Sequence, residues 1–249
     1  MPFFFEMAAQ YGIIGYPLEH SFSPAWFAEK FAREGIAANY KAYPLEHIEV
    51  IDDLLENYPL KGLNVTIPYK KSVIEHLDEM DAAAAEIGAV NCVDIRNKER
   101  KGYNTDVIGF EKSLLPLLKS HHTKALVLGT GGSSRAVNYV LDKLCIARTS
   151  VSRYDYENSI TYADLTAEIV DVHKLIINTT PLGMWPNIDE APAIPYGALG
   201  SEHILYDLIY NPEETKFLRL GKEQGATIKN GYEMLVLQAE ASWQIWNRA

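Results

Sequence analysis

The sequence predicts an α/β protein, and three observations carry that expectation. Short apolar runs of strand length alternate with stretches of helical spacing along the 249 residues. One apolar run, Ala125-Leu126-Val127-Leu128, leads directly into Gly129-Thr130-Gly131-Gly132-Ser133 and then into a helical pattern. The composition, 47% apolar and 22% charged, suits a packed globular chain and excludes disordered, collagen-like and coiled-coil classes. The length fits two small domains better than one and allows a core that needs no disulfide or metal.

The elements follow in order. Residues 13–16, Ile-Ile-Gly-Tyr, form a short strand closed by Pro17. Ser23-Pro24 starts a helix, with Ser23 as N-cap and Pro24 at the first helical position. Phe27 and Phe31 lie one turn apart on its inner face, and Gly35 ends it in a left-handed cap. Residues 39–43 and 63–67 read as strands, residues 73–80 as a helix, and residues 89–95 with the region of Tyr103 as two more strands. Beyond the glycine loop, Val137, Val140, Leu141 and Leu144 recur at helical spacing. Residues 149–152, 175–178 and 204–206 are the next strands, and the last helix spans about residues 232–246. Strand–helix alternation of this kind implies a parallel sheet covered on both faces.

Charge and cysteine content narrow the function. Lys and Arg number 23 and Asp and Glu 33, a formal charge of −10, so no fold-wide basic footprint for nucleic acid exists. Cys92 and Cys145 stand alone, and the seven histidines show no metal-ligand spacing, so no metal site is expected. The opening Met1-Pro2-Phe3-Phe4-Phe5 is apolar, but the first Lys or Arg is Lys30, which does not fit the charged start of a secretory leader. No apolar run reaches the ~20 residues of a membrane span. A cytoplasmic protein with no nucleic-acid or membrane partner is expected.

The glycine loop has the form of a dinucleotide phosphate cradle: glycines admit the pyrophosphate, and a helix N-terminus offers unpaired N–H groups. The third glycine of that fingerprint is Ser134 here. The strand that follows ends Ser152-Arg153-Tyr154-Asp155. Arg153 suits a 2′-phosphate, which favours NADP, while Asp155 leaves the NAD reading open. The turn Asn178-Thr179-Thr180-Pro181 after a buried strand stands where the ligand crevice of a parallel sheet lies.

Five further segments read together in order: residues 15–24 (Gly-Tyr-Pro-Leu-Glu-His-Ser-Phe-Ser-Pro), 64–70 (Asn-Val-Thr-Ile-Pro-Tyr-Lys), 88–91 (Gly-Ala-Val-Asn), 102–109 (Gly-Tyr-Asn-Thr-Asp-Val-Ile-Gly) and 230–239 (Asn-Gly-Tyr-Glu-Met-Leu-Val-Leu-Gln-Ala). With the glycine loop between the last two, the chain resembles the shikimate dehydrogenase family from about residue 13 to residue 240. The resemblance implies a discontinuous N-terminal substrate domain, residues 1–106 plus 230–249, and an inserted Rossmann-like NADP-binding domain, residues 107–229. It implies reversible reduction of 3-dehydroshikimate to shikimate by NADPH. Lys70 and Asp106 match the catalytic pair. Ser21, Ser23, Thr66, Asn91, Tyr210 and Gln238 match substrate-binding positions, the two serines facing the carboxylate. Gly129, Gly131, Gly132, Ser133, Ser152, Arg153, Thr179, Thr180, Leu208 and Gly231 match the cofactor set. The family's Asn-Arg-Thr after the second cofactor strand is Ser152-Arg153-Tyr154 here, and a second glycine of the last motif is Glu233.

The residue types suit that chemistry. Ketone reduction needs a proton donor for the developing alkoxide, and a lysine can donate or stabilise it. A carboxylate such as Asp106 keeps a lysine charged, so it orients Lys70 and binds a hydroxyl rather than freeing a base. N-capping alone would account for Ser23 but not for Ser21. Met234, Gln238, Ala241 and Ile245 share one helix face, and a glutamine in that apolar stripe needs a partner, either a substrate hydroxyl or a backbone carbonyl. Asn91 can equally be a strand-end cap and Asn104-Thr105 a turn. Two alternatives stand beside the main reading: an NAD-dependent quinate/shikimate dehydrogenase, and a non-catalytic ligand-sensing module on the same fold. A monomer or homodimer is expected.

Overall fold

The computed structural model describes residues 8–19, 21–155 and 158–248. The apolar opening, residues 1–5, and His20 of the first motif lie outside the described residues. The chain divides into two compact units, Met1–Thr105 with Ala239–Ala249, and Asp106–Gln238. Both divisions fall inside helices, whereas the sequence reading sets them at 106/107 and 229/230.

The first unit contains β1 (Ala9–Gly15), α1 (Phe22–Glu34), β2 (Ala38–Pro44), α2 (Ile51–Asn57), β3 (Leu60–Val65), β4 (Glu79–Met80), α3 (Ala82–Ile87), β5 (Cys92–Arg96) and β6 (Glu99–Tyr103). Helix α4 (Thr105–Leu114) follows. The strands form one sheet in the order β2-β1-β3-β5-β6-β4. β1, β2 and β3 run parallel, and β5 is antiparallel to both its neighbours, so the sheet is mixed rather than wholly parallel.

Gly35 closes α1 at φ +65°, as its sequence position predicts. Residues 73–80 are not a helix: a single 3-10 turn, Ser72–His76, gives way to β4, which pairs with β6. Tertiary pairing wins because the Asp78 N–H donates to the Arg100 carbonyl and that of Asp81 to Gly102. The Asp81 side chain then caps α3, accepting the Ala84 N–H at 2.9 Å. An aromatic core joins Tyr11, Phe27 and Phe31 to Trp243 and Trp246 from the end of the chain. Tyr11 stacks on Trp246 at 4.9 Å, and the Trp246 indole N–H donates to Val93 O at 3.0 Å. At Gly62 a Cβ would overlap that indole.

The second unit contains β7 (Lys124–Leu128), α5 (Gly132–Lys143), β8 (Ala147–Ser152), β9 (Ser159–Thr161), α6 (Ala167–Val172), β10 (Leu175–Asn178), β11 (Ile204–Asp207), α7 (Lys216–Glu223) and β12 (Thr227–Lys229). Helix α8 (Tyr232–Asn247) begins here and ends in the first unit. The sheet order is β9-β8-β7-β10-β11-β12, with every pairing parallel. Counted from β7, that is the doubly wound order 3-2-1-4-5-6. Leu126, Leu128, Val151, Ile176, Leu205 and Phe217 belong to one buried cluster of this unit.

Candidate active site

In the second unit the strand order reverses between β7 and β10, and the loops leaving the carboxyl ends of these strands meet there. After β7 the backbone turns at Gly129, whose φ is +106°. Its N–H donates to Val151 O at 2.8 Å, and a Cβ on it would stand 2.7 Å from the Thr179 hydroxyl. Thr179, after β10, returns the contact: its N–H and hydroxyl both donate to Leu128 O, at 2.9 and 2.8 Å. Gly131 is the N-cap of α5, and open space surrounds both Gly131 and Gly132 where a Cβ would go. The first turn of α5 holds Ser133 and no acidic residue, so no side chain of that turn offsets the positive end of the helix. Ser134 is buried and donates to Gly131 O at 2.6 Å, which tightens the turn where the fingerprint has its third glycine.

The end of β8 supplies the next wall. Ser152 is buried, and its hydroxyl accepts the Tyr154 N–H at 3.2 Å. Arg153 is exposed, with its guanidinium 5.8 Å from the centre of the Tyr154 ring. The glycine loop, this strand end, Tyr162 and the turn 179–182 enclose a cavity of about 340 Å³. An open glycine cradle, an uncompensated helix N-terminus and an exposed guanidinium beside one cavity fit a phosphorylated dinucleotide.

Tyr162 was not singled out from the sequence. It lines the cavity, and its hydroxyl is buried with no hydrogen-bond partner among the described residues. Burial pushes that hydroxyl up to about 12, with Arg153 pulling the other way. Nothing in its own segment signals this, because β9 and a 3-10 turn bring it in from a different stretch of chain.

In the first unit, three predicted segments meet at the carboxyl ends of β1 and β3. The Tyr16 N–H donates to Ile67 O at 3.0 Å and the Thr66 N–H to Ile14 O at 2.9 Å. The Val90 N–H donates to Lys70 O at 2.7 Å, and that of Val65 to Asn91 O at 2.9 Å. Lys70 and Thr66 are half-buried there. Asn91 is buried, and its side-chain oxygen accepts the Thr105 N–H at 2.6 Å, at the start of α4.

The serines require a correction. Helix α1 begins at Phe22, so Ser21 rather than Ser23 is its N-cap, with an extended backbone and no side-chain capping bond. A proline is tolerated throughout a first helical turn, whose N–H groups have no intrahelical partners, so Pro24 does not mark the first position. Ser23 lies inside the helix, is buried, and hydrogen-bonds the Tyr40 hydroxyl. Tyr40 in turn donates to Asn64 at 2.8 Å, and Asn64 donates to Ser242 at 2.9 Å. Sequence reasoning missed this polar chain, because its members come from α1, β2, β3 and α8.

The remaining predicted residues belong to the second unit. Asp106 opens it, in the first turn of α4, where a carboxylate suits the helix dipole. Gln238 is buried on α8 and donates to Leu235 O at 3.0 Å, the backbone partner foreseen as one option. Gly109 permits the α4–α8 contact, since a Cβ would stand 3.1 Å from that of Gln238. Leu208 and Gly231 touch: a Cβ on residue 231 would overlap the Leu208 carbonyl, and the Gly231 N–H donates to Ile209 O at 3.0 Å. Tyr210 is exposed beside them. Glu233, where the family has glycine, pairs with Lys229. Among the described residues no group of three or more His, Cys, Asp or Glu could hold a metal ion, and no helix is long and apolar enough to cross a membrane.

Comparison with known proteins adds the family. Residues 13–93 match the model described as the shikimate dehydrogenase substrate binding domain. The shikimate dehydrogenase (NADP(+)) of Methanococcus maripaludis is 39% identical over 94% of this chain and 90% of its own. The crystal structure of shikimate dehydrogenase from Aquifex aeolicus superposes with a TM-score of 0.86 at 34% identity, covering 97% of this chain and 93% of that one. The Thermus thermophilus enzyme, solved in complex with NADP(H) and shikimate, gives 0.86 at 28% identity over 96% and 93%. With the doubly wound sheet, the glycine cradle and a relative of this identity over nearly its whole length, the chain belongs to the shikimate dehydrogenase family.

Proposed function

We propose that this chain is an NADP-dependent oxidoreductase that interconverts 3-dehydroshikimate and shikimate. The observation that carries the reading is the cavity at the β7/β10 switch point, with its glycine cradle on one side and Arg153 on the other. The NADP(+) named for the Methanococcus relative supports the cofactor. When bound, NADPH supplies the hydride.

The chain's own residues do the rest. The α5 N-terminus with Gly131 and Gly132 receives the pyrophosphate, and Arg153 pairs with the 2′-phosphate. Lys70 donates a proton or a hydrogen bond to the carbonyl oxygen as it becomes an alkoxide. Asp106 orients Lys70 and accepts a ring hydroxyl. Ser21 and Ser23, at the start of α1, hold the carboxylate, and Thr66, Asn91, Tyr210 and Gln238 address the ring. These roles rest on the match to the family's motifs. We assign the substrate to residues 1–106 plus 230–249 and the nucleotide to residues 107–229. The position of the matched substrate-domain model, residues 13–93, supports the first assignment.

We further infer a cytoplasmic enzyme, working as a monomer or homodimer on a small anionic substrate, with no nucleic-acid or membrane partner. Two free cysteines, Cys92 and Cys145, and the charge of −10 support this. The test is an absorbance assay with four cofactor–substrate pairs: NADPH or NADH with 3-dehydroshikimate, NADP+ or NAD+ with quinate. Preference for NADPH with 3-dehydroshikimate is expected. Folded protein that turns over none of them overturns the proposal, and preference for NAD+ with quinate replaces it.

A further inference from the structure

The carboxylate of Asp207 lies buried at the carboxyl end of β11 and takes no part in the chemistry described above. One oxygen accepts the Asn178 amide at 3.0 Å and the Ile209 N–H at 3.0 Å; the other accepts the Thr215 hydroxyl at 2.6 Å. Asn178, at the end of β10, turns the other way. Its oxygen accepts the Thr180 N–H at 3.0 Å and the Thr180 hydroxyl at 2.7 Å, and its amide also reaches Leu182 O at 3.5 Å. One carboxylate–amide pair therefore holds two turns. The first, 179–182, walls the nucleotide cavity and backs Gly129. The second, 208–210, carries the Leu208 carbonyl that abuts Gly231 and the Ile209 carbonyl that accepts its N–H.

We propose that Asp207 is a positioning residue for the cofactor, acting through Asn178 on the 179–182 turn and through the Ile209 N–H on the 208–210 turn. The inference rests on the nucleotide reading of the cavity. The Asn178 amide and the Ile209 N–H can only donate, whereas the Thr215 hydroxyl can donate to the ionised carboxylate or accept from the protonated acid. A proton on the second oxygen therefore reverses the Thr215 bond and leaves the other two as weaker bonds to a neutral oxygen. Burial pushes this carboxyl up to about 7, with the three hydrogen bonds holding it down. Among the described residues no Lys, Arg or His bears on it. The titratable side chain that faces it is Tyr196, from the turn Tyr196–Ala198, whose hydroxyl donates to Pro192 O at 2.8 Å and is pushed well above the ordinary tyrosine range by burial. The two turns therefore loosen as pH falls through about 7, and nucleotide affinity falls with them.

The experiment measures NADPH dissociation constants by nucleotide fluorescence from pH 6 to 8.5, with KM for 3-dehydroshikimate and melting temperature alongside. Wild-type affinity is expected to tighten as pH rises through that range. Asp207→Asn is expected to bind NADPH about tenfold more weakly at pH 8, the scale of a lost hydrogen bond to a charged group, with a smaller change in KM for 3-dehydroshikimate passed on through Tyr210 of the second turn. Its profile should retain only the titration of the 2′-phosphate, which both proteins share, so the difference between them reports Asp207. Thr215→Val, which removes one donor, should move the wild-type inflection to higher pH. Asp207→Asn binding NADPH as wild type does, or Thr215→Val lowering the melting temperature with the inflection unmoved, overturns the proposal. If Asp207→Asn fails to fold, the wild-type and Thr215→Val profiles decide. Pre-steady NADPH binding without turnover refutes the assigned reaction alone; turnover with a wild-type affinity that only follows the phosphate refutes the role of Asp207 alone.

Discussion

The side-chain oxygen of Asn91 accepts the backbone N–H of Thr105 at 2.6 Å and its hydroxyl at 3.2 Å. A residue matched to substrate binding thus also holds the first turn of the helix that begins with Thr105 and carries Asp106. Asn91→Ala should cost about 1–3 kcal/mol through a buried donor left unpaired. It should also lower kcat, because Asp106 follows directly. Asn91→Asp keeps the accepting oxygen and should recover most of the stability in a thermal melt; equal losses for both variants would argue against capping.

Lys70→Ala should leave the fold and NADPH affinity intact and reduce kcat by about 10²- to 10⁴-fold, the range for a lost proton donor. Steady-state rates beside fluorescence titration of NADPH check this, and unchanged turnover would remove Lys70 from the chemistry.

Arg153→Ala should weaken NADPH by about 10- to 100-fold, as expected for a charged hydrogen-bonding group, and leave NADH nearly unaffected. Tyr162→Phe provides the contrast. Its hydroxyl is buried without a partner among the described residues, so its removal should be neutral or stabilising by up to about 1 kcal/mol. The readouts are the NADPH/NADH ratio of kcat/KM and the melting temperature.

Gly129→Ala places a side chain at φ +106° and against the Thr179 hydroxyl. The backbone strain alone is about 1–3 kcal/mol, and Thr179 must shift with it. Loss of nucleotide binding beyond the loss in stability is the expected result.

Asp52, paired with Arg100 and His76, has its carboxyl held below the usual range, first by the Arg100 guanidinium. A depressed carboxyl stabilises the fold above its unfolded pKa and loses that contribution as pH falls through the folded value. The aspartate is half exposed, so Asp52→Asn should cost no more than about 1 kcal/mol at pH 7 and nothing near pH 2, by denaturant titration at the two pH values.

The sequence was most readable where local chemistry dictates the result. The β7 run, the glycines after it and the helix beyond are contiguous, so their geometry follows from residue type. Gly35 ends α1 for the same local reason. It was least readable where distant segments decide. Residues 73–80 have helical spacing, yet β6 claims Glu79 and Met80 as a strand. Ser23 looks like a cap but is drawn into a polar chain by Tyr40. Tyr162 and the Asn178–Asp207 pair gain their meaning only from the order of strands in the second sheet.

The seating of Trp243 and Trp246 beside Tyr11, Phe27 and Phe31 bears on how the chain is made. During synthesis, domains generally fold as units from the N-terminus onward. Here the unit that begins first must wait, because Ala239–Ala249 belongs to it and is made after Asp106–Gln238. The unit Asp106–Gln238 has all its strands before that point. The two units are therefore completed in the reverse of the order in which they begin, and a stop within α8 would leave Tyr11, Phe27 and Phe31 without the two tryptophans they pack against.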